Sequence, residues 1–107
     1  MRVYIAGPYT KGDVGVNVAK AIEVGNQVLN AGHTPFIPHL NHFWHIIYPH
    51  PESSWLSYDN VWLMTCDALI RLPGESKGAD TEVQLAQFLS IPVFYSFGEF
   101  LDYVRGS

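Results

Sequence analysis

The chain has 107 residues, 48% of them hydrophobic and 15% charged, with ten acidic against six basic side chains. That is enough apolar material for one packed domain, and a net charge of −4 with a pI near 5.6 excludes a reader of the nucleic-acid backbone, which needs a basic stripe. Met1-Arg2 leads straight into a strand-like run with neither the charged nor the apolar region of a signal peptide, and no apolar stretch reaches the roughly 18 residues of a membrane span. A cytoplasmic protein without a membrane partner is expected. The single cysteine, Cys66, cannot form an internal disulfide and lies in an apolar segment, where it reads as buried filler.

In chain order, Val3-Tyr4-Ile5-Ala6 is a short run of β-formers ended by Gly7-Pro8, a central strand entering a loop that runs to about Gly12. Asp13 can cap a helix whose apolar positions Val14, Val18, Ala21, Ile22, Val28 and Leu29 fall at helical spacing, with Gly32 as its terminator. His33-Thr34-Pro35-Phe36-Ile37-Pro38 is a second strand, and its two prolines suit an edge position. Residues 39–54 form a histidine- and aromatic-rich insertion of the kind that serves as a lid or a partner-facing surface. Ser53 or Ser54 then caps a third helical segment carrying Trp55, Tyr58, Asp59 and Trp62, which ends near Cys66. Ala68-Leu69-Ile70-Arg71-Leu72 is an apolar strand, and the turn Ser76-Lys77-Gly78-Ala79-Asp80-Thr81-Glu82 leads into a helix beginning near Ala79. Ile91-Pro92-Val93-Phe94-Tyr95 is the last strand, and Phe97, Phe100, Leu101 and Val104 give a terminal amphipathic helix.

Strands alternating with long helices indicate right-handed βαβ units and a parallel sheet covered on both faces. The expected fold is α/β, a flavodoxin- or Rossmann-like three-layer sandwich over residues 1–107, with four strands and a fifth if the insertion hides one. Ligands of such sheets bind beyond the carboxyl ends of the strands where strand order reverses. The loop after the first strand and residues 73–79 should therefore face each other.

Glu82 stands in the first turn of a helix at that mouth, where the dipole keeps a carboxylate anionic and a rigid element holds it, so it is the candidate nucleophile; equally, acidic residues in first turns simply stabilise the dipole, by about 0.3–1 kcal/mol. Asp59, flanked by large aromatics, either lies on a solvated helix face or turns toward Glu82, in which case the two titrations couple and one pKa rises. Tyr4, in a buried strand, needs a hydrogen-bond partner that a nearby carboxylate would supply, or else only packs. Asp67 precedes its strand at the end away from ligands, and Asp80 caps the helix or points outward. His39, His42 and His45 recur every three residues, yet no carboxylate or cysteine accompanies them as a zinc ligand, so neither a metal nor a cofactor is expected. His39, directly after the second strand, is placed as a donor to a ligand. Gly7-Pro8-Tyr9 lacks the glycine patterns of dinucleotide and P-loop sites.

Taken in order, Val3-Tyr4-Ile5-Ala6-Gly7-Pro8, Asp59-Asn60-Val61-Trp62-Leu63 with Cys66-Asp67-Ala68-Leu69-Ile70, and Ser76-x-Gly78-x-x-x-Glu82 with Ala86 and Ile91-Pro92-Val93 resemble the nucleoside 2-deoxyribosyltransferase superfamily, including its nucleoside 5′-monophosphate N-glycosidase branch. The resemblance covers nearly the whole chain. It implies that Glu82 attacks the anomeric carbon, that Asp59 assists at the nucleobase or sugar, and that Tyr4 orients Glu82. It also implies that Ser76 and Gly78 contact a 5′-phosphate, while position at the strand ends puts Gly7, Pro8, Tyr9 and His39 on the ligand pocket. The transferase branch tends to carry an acidic residue at the Ser76 position, so serine tilts the expectation toward a nucleotide. The monophosphate branch has an arginine after the first strand, where this chain has Thr10-Lys11. The implied partner is a small nucleoside or nucleotide, cleaved or transferred at its N-glycosidic bond by a homo-oligomer, dimer or tetramer. The alternative is a non-catalytic nucleotide-binding or sensing module on the same fold.

Overall fold

Alternation along β1 (Arg2–Ala6) decides what each face of the sheet becomes, because successive strand side chains point to opposite sides. In the computed structural model, which describes residues 1–106, Val3 and Ile5 enter one apolar cluster and Tyr4 and Ala6 the other. The same parity holds in β3 (Ala68–Arg71), with Ala68 and Ile70 on the first side and Leu69 on the second. The first cluster is closed by α1 (Val14–Asn30) and α5 (Phe97–Val104), the second by α3 (Glu52–Leu63) and α4 (Lys77–Phe88). Helices thus cover both faces, as an all-parallel sheet requires.

The sheet has the order β2-β1-β3-β4, with β2 (Thr34–Phe36) and β4 (Val93–Phe94) at the edges and every pairing parallel. This is a flavodoxin-like order in which the chain reverses direction between β1 and β3. Pro35 lies on the edge strand β2, where its missing N–H is tolerated. The fifth strand that the insertion could have held is not formed among the described residues. Pro38–Leu40 is a 3₁₀ turn and Asn41–Ile47 is a short helix, α2, so the segment packs by side chains rather than by a ladder.

Caps account for the helix starts. Asp13 accepts from the Val16 amide at 2.9 Å and Ser96 from that of Glu99 at 3.0 Å. Gly32, with φ of +90°, follows the end of α1 as its terminator. Two boundaries differ from expectation. The third helix starts at Glu52 after Pro51 rather than at a serine cap, since proline already presets the entry. The fourth starts at Lys77, because Ser76 caps it two residues earlier than expected. On α1 the inward stripe is Val18, Ala21, Gly25 and Val28, whereas Ile22 and Leu29 are exposed.

The loops after β1 and β3 do meet. Gly7 approaches Leu72 so closely that a Cβ would stand 2.9 Å from the Leu72 Cβ, and Gly74, at φ +116°, packs on the Pro8 ring. Asn17 of α1 ties the first loop down by donating to the carbonyls of Tyr9 and Lys11 at 2.9 and 2.8 Å. Replacing Gly74 by alanine puts a Cβ 2.8 Å from Pro8 Cγ in a backbone region alanine avoids. A loss of roughly 1–3 kcal/mol is expected, read as a drop of several degrees in Tm; an unchanged Tm would contradict this packing.

Candidate functional site

At the carboxyl ends of β1 and β3, on the side of the sheet covered by α3 and α4, lies a cavity of about 490 Å³, within the range of small-molecule sites. Its position is the crossover point of the sheet, where the chain leaving β1 turns to one face, into α1, and the chain leaving β3 to the other, into α4.

Tyr4 is fully buried beneath it, held between the sheet and the Phe36 ring, which in turn stacks on Trp62 at 5.4 Å. Its hydroxyl donates to Glu82 Oε2. Glu82 comes from the second turn of α4, not the first, because the helix already starts at Lys77; it shares the helix face that carries Ala79 and Ala86 into the core and is 7% exposed. Asp59, 9% exposed, comes from α3 on the face that carries Leu63 inward four residues later. Asn41 of α2 donates to its Oδ1 at 2.9 Å.

Burial pushes the Glu82 carboxyl up to about 7, helped by the charge of Asp59 and opposed by the Tyr4 hydrogen bond and by Arg71. Asp59 is likewise pushed up to about 7 by burial, against the pull of the Asn41 amide. Tyr4 is held far above the ordinary phenol range by burial and the two carboxylates, so it is a permanent O–H donor. Two carboxyls thus line one cavity, each pushed up to about 7 mainly by burial, and the charge of Asp59 adds to the rise at Glu82.

Ser76 and Gly78 line the cavity from the start of α4. The Ser76 hydroxyl accepts from the Ala79 amide at 3.1 Å, the capping bond, which leaves its O–H free to donate. The Lys77 and Gly78 amides belong to the first turn, where no intrahelical acceptor exists, and a Cβ at Gly78 would meet nothing within 4 Å. Gly7 and Tyr9 line the opposite side. Pro8 is not part of the wall: its ring packs under Gly74 and its carbonyl accepts from His39 Nε2 at 2.9 Å.

That bond also changes the role of His39. A carbonyl can only accept, so Nε2 carries the proton and Nδ1 keeps its lone pair. His39 is 5% exposed, burial holds its pKa below the ordinary histidine value, and Nδ1 has no partner. Its N–H is thus engaged by the Pro8 carbonyl, and the unpaired Nδ1 is a buried acceptor.

Several participants were not singled out from sequence. Asn41 is one, and a polar residue two positions after His39 was its only signal. Arg71 is another: a charge inside an apolar strand must find partners, and it donates to the carbonyls of Leu72 and Gly74 and pairs with Asp80 at 3.0 Å. Asp80 is thus neither a cap nor idle, and Asp67 accepts from the Arg2 amide at 2.8 Å at the far end of the sheet. From the insertion, His42 Nδ1 meets the Tyr9 hydroxyl at 2.5 Å and His45 Nδ1 meets Trp55 Nε1 at 2.9 Å. Among the described residues no group of three histidine, cysteine, aspartate or glutamate side chains is disposed to hold a metal. No helix among them is long and apolar enough to cross a membrane.

The model of a domain family described as a domain of unknown function (DUF7768) matches residues 1–96. No curated protein matches the sequence. Among solved structures the chain is similar to the 2-deoxyribosyltransferase of the psychrotolerant bacterium Bacillus psychrosaccharolyticus, a biocatalyst for nucleoside synthesis, with a TM-score of 0.64 and 22% identity over 87% of this chain and 69% of that one. The likeness is one of fold, and it agrees with the α/β architecture read from the sequence.

The raised carboxyls have a consequence for stability. The folded chain retains protons at Glu82 and Asp59 between their ordinary values of 4.5 and 3.8 and the folded value of about 7. Their stabilising contribution is therefore complete below the ordinary values and is lost as pH rises through about 7. Glu82→Gln, which cannot ionise, should match the wild type near about pH 4 and exceed it near about pH 8 by roughly 1–3 kcal/mol. Tm measured for both proteins across this range checks it, and a variant that loses ground as pH rises would refute the shift.

Proposed function

The chain belongs to the DUF7768 domain family, and from its fold and cavity we propose that it cleaves or transfers at the N-glycosidic bond of a nucleoside or nucleoside 5′-monophosphate. The observation that carries this reading is the buried hydrogen bond from Tyr4 to Glu82 beside Asp59, at the mouth of the sheet.

Near neutral pH the carboxyl pair holds one proton, which makes one member a base or nucleophile and the other an acid. With Glu82 ionised, its oxygen attacks the anomeric carbon. The bond to the nucleobase nitrogen breaks, its electron pair stays on that nitrogen, and the Asp59 carboxyl delivers a proton to the departing base. Tyr4 fixes the attacking carboxylate and tempers its charge. In the second half, water or another base attacks the glycosyl-enzyme, the bond to Glu82 breaks, and Asp59, now a carboxylate, takes the proton of the attacking group. Gly7, Tyr9 and His39 would shape the sugar and base pocket. The Ser76 hydroxyl and the free amides of Lys77 and Gly78 suit a 5′-phosphate at a helix N-terminus, whereas Thr10-Lys11 in place of the arginine of the monophosphate branch argues against one.

A panel of ribo- and deoxyribonucleosides and their 5′-monophosphates, assayed for free base, tests the reaction. Wild type should release base with a bell-shaped pH dependence centred near neutrality. Glu82→Ala should lose at least about 100-fold, and Tyr4→Phe less, since one donor rather than the attacking group is removed. Release by Glu82→Ala at the wild-type rate removes the nucleophile, and tight binding without release by either protein makes the chain a sensor.

The same reading includes a homo-oligomer. Outward from the cavity, α2 exposes Phe43, Trp44, Ile46 and Ile47, beside Tyr48, an apolar patch of the kind that marks association. Sedimentation should find a dimer or tetramer that Ile47→Glu shifts toward monomer; a wild-type monomer at about 50 μM, a concentration at which a micromolar Kd saturates, would remove this part.

A further inference from the structure

We infer that His45 is a hydrogen-bond donor of fixed tautomer which reads the far edge of the ligand and selects a nucleobase with an oxo group there over one with an amino group. This rests on the nucleoside or nucleotide reading of the cavity.

His45 is half-buried on α2 and lines the cavity. Its Nδ1 lies 2.9 Å from the indole Nε1 of Trp55 and 3.2 Å from the backbone nitrogen of His50. An indole N–H and a peptide N–H can only donate. Two donors converging on one ring nitrogen require that nitrogen to keep its lone pair, so the neutral ring carries its proton on Nε2. No described residue is bonded to Nε2. The neighbouring histidines differ in this respect. His42 Nδ1 faces the Tyr9 hydroxyl, which can give or take a proton, and the Nε2–H of His39 is already engaged by the Pro8 carbonyl. Of the three, only His45 combines a settled tautomer with an unengaged donor.

The ring is also held rigidly. Trp55 packs edge-on against Trp44 at 5.0 Å and against His50 at 5.3 Å. Trp55 precedes Asp59 by four residues on α3, about 6 Å along the helix axis. The wall therefore runs from Glu82 to Asp59 and then one turn further to Trp55 and the His45 bonded to it. If Glu82 faces the anomeric carbon and Asp59 the nitrogen that leaves with the base, the next group along α3 meets the base at the edge remote from the sugar. There an oxo oxygen accepts from Nε2–H, whereas an exocyclic amino group sets donor against donor. The two differ little in size, so discrimination comes from hydrogen-bond polarity, the form of selection that a site built around a positioned polar group performs best.

The test uses matched 5′-monophosphates, uridine against cytidine and inosine against adenosine, with binding measured by calorimetry on Glu82→Gln to prevent turnover. Each oxo ligand should bind about tenfold more tightly than its amino partner, the worth of one hydrogen bond. His45→Asn, which keeps an oxygen near Nδ1 but has no group at Nε2, should abolish the preference. His45→Gln, whose amide nitrogen reaches the Nε2 position, should restore part of it. Nitrogen-15 NMR of the ligand-free wild type should show the His45 proton on Nε2. Equal binding within each pair, a preference for the amino ligand, an unchanged preference in His45→Asn, or a proton on Nδ1 would each overturn the inference. Should the oxo preference depend on His45 while no base is released by wild type, the selection stands and the catalytic reading fails. With base released but affinities equal, catalysis stands and the selection fails, and failure of all four ligands to bind, with no base released from any nucleoside or nucleotide, defeats both.

Discussion

The site depends on a hydrogen bond between a phenol and a carboxyl that are both sealed inside the protein. A carboxylate withdrawn from water is costly unless something satisfies it, and for Glu82 the direct partner is neutral, the Tyr4 hydroxyl. Arg71 lies close enough to favour the charged form, yet its guanidinium is engaged by Asp80 and by two backbone carbonyls. Had Arg71 bonded Glu82 directly, the carboxyl would be pulled toward low pKa. With Arg71 diverted, burial dominates and the Glu82 carboxyl is pushed up to about 7, so the Arg71–Asp80 pair helps decide the protonation state of the site.

That hydrogen bond also constrains the fold. Tyr4 reaches α4 only because its strand position points to the same face as Ala6 and Leu69. A slip of one residue in β1 would send the hydroxyl into the α1 and α5 core and leave Glu82 without its donor. The parallel pairing of β1 with β3 holds the register, Tyr4 opposite Leu69 and Ala6 opposite Arg71. The sheet thus sets which residues face the cavity, and its crossover, where the chain leaves β1 and β3 toward opposite faces, sets where the cavity is.

The insertion works on both sides. Its inner face supplies Asn41 to Asp59, His42 to Tyr9 and His45 to Trp55, which closes a cavity that the sheet alone would leave open. Its outer face carries large apolar side chains into solvent. An inner face of polar contacts and an outer face of apolar ones reverses the usual pattern of a surface helix, and α2 accordingly has no buried residue of its own.

Short apolar runs of β-formers in β1 and β3, helical spacing in α1 and α5, and cap residues such as Asp13 are local signals, so the α/β class and the parallel sheet were legible in the order of residues. Glu82, Asp59 and Tyr4 stood out as groups that need partners, because a carboxyl on an apolar helix face and a phenol in a buried strand demand them wherever the chain places them. What tertiary structure alone decided is which partners they found. Tyr4 and Glu82 are 78 residues apart, and Asn41 and Asp59 are 18 apart, distances over which no local pattern specifies geometry. The same holds for the His39 and His45 tautomers, each set by a Pro8 carbonyl or a Trp55 indole that only folding brings into reach. Residue type determined what each group could do; burial and neighbours determined which of those things it does.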